Sequence, residues 1–119
     1  MSTCIDSIGL QQIGISTLKE FDRRIANIPK NLCAPFYHEA GTLETELLTI
    51  YKVVAMGARK EQDLSVISQS WNLMVEMCDN AARRLSDLIK QHPACGADIY
   101  FDRMLDLRNK CERLKKMHH

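Results

Sequence analysis

The amino-acid sequence predicts an all-α fold, a four-helix antiparallel bundle in up-down-up-down order. Three observations carry that expectation. Apolar residues recur at alternating spacings of three and four along four separate segments, the period of a helix face packed on other helices. Proline and glycine punctuate the chain between those segments, where they end helices. No segment shows the strict alternation of a half-buried strand.

The first helix is expected over residues 6–28. Leu18, Phe21, Ile25 and Ile28 share one stripe. Upstream, Ile5, Ile8, Ile13 and Ile15 hold no single phase, and Gly9 and Gly14 interrupt. Pro29 cannot continue the helix, because it lacks an N–H and its ring clashes with the preceding turn. The second helix is expected over 36–56, with Pro35 at its start, where proline is tolerated. Its stripe is Phe36, Ala40, Leu43, Leu47, Ile50 and Val54, and Gly57 reads as a left-handed C-cap.

The third helix, over 62–91, has the cleanest seam: Leu64, Ile67, Trp71, Met74, Cys78, Ala81, Leu85 and Leu88. Asp63 or Ser65 suits its N-cap, and Pro93 and Gly96 end it. Trp71 lies mid-seam and reads as core. The fourth helix, over 98–116, carries Tyr100, Met104, Leu107, Cys111 and Leu114, with Asp98 as its expected N-cap. Three short connections favour antiparallel neighbours. No linker divides the chain, so residues 1–119 read as a single domain. In that order the first and third connections share an end, so Cys33 and Cys95 lie at the same end of the bundle; a shared end does not by itself bring their Cα atoms to the about 4.4–6.8 Å of a disulfide, and reduced loop thiols are expected.

Composition excludes more functions than it suggests. The 119 residues are 45% hydrophobic and 26% charged, with a net charge of +1, so no global bias points to nucleic acid or an anionic surface. No apolar run approaches the ~20 residues of a membrane span, and no secretory signal is visible at the start. The cysteines, at 4, 33, 78, 95 and 111, contain no Cys-x-x-Cys. Their odd number and the missing signal favour reduced thiols in the cytoplasm.

No cofactor is expected. A di-iron bundle needs inward Glu residues and Glu-x-x-His pairs, and no seam position is Asp, Glu or His. Glu76 and Asp79 form the Glu-x-x-Asp half of the magnesium site of all-helical nucleotide pyrophosphatases, but the preceding Glu-x-x-Glu is missing. His38 opens the second helix without the Lys-Gly that follows the acceptor in histidine phosphotransfer domains. Phosphate-loop, nucleophile-elbow and zinc-protease motifs are absent, so the chain reads as having no catalytic chemistry.

Two surface features remain. Apolar residues recur off the seams, at Val66, Leu73 and Met77 on the third helix and at Phe101 and Leu105 on the fourth. A second apolar face implies another surface to bury, either in a homodimer or against a helical partner. Its rival cover is the apolar segment Ile5 to Ile15 of the same chain. The second feature is basic: Arg108, Lys110, Arg113, Lys115 and Lys116 stand against the single Glu112. Cations there offset the helix dipole, or they contact an anionic partner such as nucleic acid. Arg113 to His118 has the spacing of the Arg, four to six residues, His motif of HEPN-type ribonucleases, and Arg108-Asn109 resembles its opening dipeptide. The two do not coincide, and the likeness covers about ten residues. The first reading is therefore a self-associating protein–protein interaction module. The second is a nucleic-acid binder or ribonuclease working through the basic helix.

Overall fold

The computed structural model describes residues 6–117. Cys4, Ile5, His118 and His119, which enter the sequence readings above, lie outside them. Four helices make up the chain: α1 (Ser7–Ala26), α2 (Ala34–Lys60), α3 (Leu64–Gln91) and α4 (Asp98–Lys116). A short 3-10 turn, Pro93–Cys95, leads into α4. There is no strand among the described residues.

Local chemistry sets the ends. Asp6 starts α1 by accepting a 2.6 Å hydrogen bond from the Gly9 N–H, which satisfies one of the helix's free donors. Asp63 does the same for α3, accepting from the Ser65 N–H at 2.9 Å and from its hydroxyl at 2.7 Å. Those two bonds hold the Asp63 carboxyl below its ordinary pKa, the hydroxyl contributing most. Two expected caps are corrected. Gly57 is buried inside α2, which runs on to Lys60 and ends when the Glu61 N–H closes on the Gly57 carbonyl at 3.1 Å. Asp98 is the first residue of α4, not its cap; Ala97 holds that position with no side-chain acceptor. Gly96 has φ +76°, the only left-handed residue described.

The helices do not form a square bundle. Both α2 and α3 contact every other helix, whereas the α1 and α4 backbones do not approach each other. The section is thus a rhombus with α2 and α3 across its short diagonal, and the molecule measures 50 × 26 × 16 Å. Paired residues give the sense of packing. Gly14 meets Met77 and Asp22 binds Arg84, so α1 and α3 ascend together. Glu44 binds Arg103 and Tyr51 lies under Lys110, so α2 and α4 do likewise. Tyr51 against Trp71 and Phe36 against His92 run in opposite senses along α2 and α3.

The core follows the stripes. All six apolar positions of the α2 seam are buried, as are Ile67, Trp71, Met74, Cys78, Ala81, Leu85 and Leu88 of α3. Leu64 is the exception; it is the first residue of α3 and 58% exposed. On α3, Val75, Met77 and Ala82 are buried as well, because a helix touched by three others buries a wider arc than one seam. The α1 stripe runs Leu10, Gly14, Leu18 and Phe21. Gly14 is part of it for want of a side chain, since a Cβ there would stand 2.7 Å from Met77 Cε. Cys78 of α3 and Cys111 of α4 are both wholly buried, and each is the largest influence on the other's pKa, raising that of Cys78 and lowering that of Cys111.

Candidate interaction surface

The off-seam residues separate into two groups. Met77 is 5% exposed and packs on Gly14, so it belongs to the interior and not to a docking face. Leu73 is half-buried and lines a groove with Gln11, Ile15 and Leu18 of α1. The intramolecular rival therefore holds for these two: α1 lies along that side of α3. Phe101 and Leu105 are half-buried against the core. Only Val66 remains exposed. The α1–α3 register explains this, since Gly14 lies level with Met77 and α3 begins more than a turn before α1 can cover it.

The basic residues divide similarly. Arg108 is committed to Asp79 of α3 at 3.1 Å, so neither residue is a free surface charge. Lys110 lies 4.9 Å over the Tyr51 ring, a cation–π contact that fixes its stem while leaving its charge exposed. Arg113 and Lys116 are exposed and Lys115 is half-buried; no ion pair involves any of the three among the described residues.

Folding adds residues to this cluster that lie fifty positions away in sequence. Because α2 and α4 ascend together, the end of α4 reaches the end of α2, which carries the exposed Arg59 and Lys60. Neither makes an ion pair among the described residues. The same end displays apolar side chains: Met56 is 59% exposed, Leu64 58%, Met117 72% and Val66 36%. A shallow groove between α2 and α3, lined by Val54, Gly57, Ala58, Val66 and Ile67, opens among them. Six cations, Arg59, Lys60, Lys110, Arg113, Lys115 and Lys116, thus surround an aliphatic tip whose carboxylates are Glu61, Asp63 and Glu112. Two of those are engaged locally, Asp63 as the α3 cap and Glu61 as acceptor for the Gln62 and Asp63 N–H groups.

No group of three or more His, Cys, Asp or Glu among the described residues has the geometry to hold a metal. His38 is exposed on the first turn of α2. Glu76 is exposed and Asp79 is held by Arg108, so this Glu-x-x-Asp pair does not converge on one point. No described helix is long and apolar enough to cross a membrane. The chain matches no protein-family model, no curated protein and no solved structure.

Proposed function

We propose that this protein is a small protein–protein interaction module, acting in the cytoplasm, whose docking surface is the aliphatic, basic tip of the α2–α3 hairpin together with the end of α4. The partner is an acidic amphipathic helix. The carrying observation is the coincidence of Met56, Leu64, Val66 and Met117 with cations that have no acidic partner among the described residues. Aliphatic side chains offer anchors for a helix laid in a groove. The cations attract and orient its acidic face.

Two other partners fit less well. Single-stranded nucleic acid is gripped by aromatic platforms, and the exposed large residues of this tip are all aliphatic. Self-association through Val66, Leu73, Met77, Phe101 and Leu105 retains one exposed anchor, and like charges would oppose a symmetric pairing of the tips.

The test is a titration of isotopically labelled protein with a designed acidic amphipathic helical peptide, followed by NMR. Shifts should concentrate at Met56, Arg59, Lys60, Leu64, Val66 and Arg113, and should weaken as salt rises. Shifts elsewhere, or none, reject the surface. Stronger shifts with RNA than with the peptide favour the nucleic-acid reading, and a dimeric mass with Val66 at its interface favours self-association.

A further inference from the structure

The opposite end of the molecule holds a second pair of cysteines in a different setting. Cys33 precedes α2 and is exposed; Cys95 ends the 3-10 turn before α4 and is buried. Cys33 lies one turn before Tyr37, and Cys95 is the residue before Gly96. Three contacts hold the two connections together: the Phe36 ring stacks on His92 at 4.0 Å, Tyr37 underlies Gly96, and Tyr37 packs on Tyr100 at 5.1 Å. The two cysteines therefore lie on turns of backbone that the rest of the fold has already brought together.

We propose that Cys33 and Cys95 form a reversible thiol–disulfide site, oxidised by hydrogen peroxide or another small peroxide. A disulfide needs the two connections side by side, and the contacts of Phe36 with His92 and of Tyr37 with Gly96 set the start of α2, which Cys33 precedes, against the turn that Cys95 ends. Their placement assigns the roles. Cys33, the exposed thiol, attacks the peroxide as thiolate; the O–O bond breaks, one oxygen stays on sulfur as a sulfenic acid, and the other leaves as hydroxide, which is protonated to water. The Cys95 sulfur then displaces that oxygen, which departs as a second water, and the S–S bond closes. Across both steps two thiols lose two electrons and two protons, and one peroxide becomes two waters. A dithiol reductant reverses the reaction by exchange.

The setting of Cys95 suits a resolving thiol. The neighbouring Cys33, and then burial, push its pKa up to about 11 from an ordinary 9.0, so Cys95 is a poor first target for an oxidant. The Cys78–Cys111 pair provides the internal contrast, since both thiols are enclosed in the α3–α4 contact where an oxidant has no approach. A Cys33–Cys95 bridge would tie the α1–α2 connection to the turn before α4 and close a loop of about sixty residues.

The experiment uses the full chain carrying Cys4→Ser, which removes the cysteine outside the described residues. The protein is treated with stoichiometric hydrogen peroxide, alkylated and mapped by mass spectrometry. The expected result is a loss of two hydrogens, one cross-linked peptide joining Cys33 to Cys95, and a melting temperature raised by about 10 °C. Dithiothreitol should return all three to their starting values. With Cys95→Ser, Cys33 should stop at a sulfenic acid that dimedone traps. With Cys33→Ser, Cys95 should remain fully alkylatable. The proposal is overturned if Cys33 proceeds to sulfinic acid while Cys95 stays free, or if the cross-link joins other cysteines or two molecules.

Discussion

The two ends of this molecule arrange their side chains differently. At the end where α1 meets α2 and α3 meets α4, aromatic groups pack on each other, Phe36 with His92 and Tyr37 with Tyr100, while Leu32, Tyr37 and Ile99 keep part of their surface exposed. At the α2–α3 hairpin end, Met56, Leu64, Val66 and Met117 face outward beside unengaged cations. The connections differ in length, seven residues between α1 and α2 and six between α3 and α4 against three between α2 and α3. At the first end two connections arrive together, and each supplies a lid for the other. At the second a single three-residue connection has no opposing loop among the described residues.

Substitutions at the closed end should have the largest effects. Phe36 is 2% exposed, and Phe36→Ala removes a large aromatic from a site that cannot collapse fully, at a cost of about 3–5 kcal/mol. Chemical denaturation should show most of an ordinary domain's stability lost. A variant as stable as the parent would mean that the two connections do not support each other. Next comes Gly96→Ala. With φ at +76°, a Cβ brings it into conflict with the backbone at about 1–2 kcal/mol, and the turn that presents Cys95 should loosen. Faster alkylation of Cys95 in this variant would show that loosening directly.

At the open end the same kind of change should be nearly silent. Met56→Glu and Leu64→Glu alter exposed side chains and should shift stability by no more than ~0.5 kcal/mol, while abolishing the peptide-induced NMR shifts. If Leu64→Glu instead unfolds the protein, the tip is core and the contrast between the ends collapses.

The smallest effects expected are titrations, and they differ in sign. The folded-state pKa of Cys95 is raised to about 11 from 9.0. Its contribution is fully present below pH 9 and is lost as pH rises through 11, so alkali should weaken the closed end first. The Asp63 pKa is lowered by Ser65. Its contribution is present above the ordinary carboxylate value and is lost as pH falls through the depressed one, so acid should fray the start of α3. Hydrogen exchange at Ser65 and at Cys95, followed against pH, separates the two.

Much of this fold was legible in the sequence, for a specific reason. The period of apolar residues is a local property of the chain, and it located four helices, the buried face of α2 and most of the α3 seam. Pro29, Pro35, Pro93 and Gly96 marked breaks through backbone geometry that each residue carries with it. Local chemistry also marked Asp63 as a cap, and would have marked Asp6, whose side chain reaches the Gly9 N–H only three residues away. Three things depended on tertiary structure. The α1 stripe passes through Gly14, and a residue with no side chain reads as apolar only when Met77 fills the space beside it. Met77 and Leu73 looked like an outward face because one helix cannot show whether a neighbour covers it; α1 does. Arg59 and Lys60 join Arg113 and Lys116 at one tip only because α2 and α4 run side by side in the same sense. Periodicity determines which side of each helix is buried; the packing of one helix against another decides which remaining side chains meet.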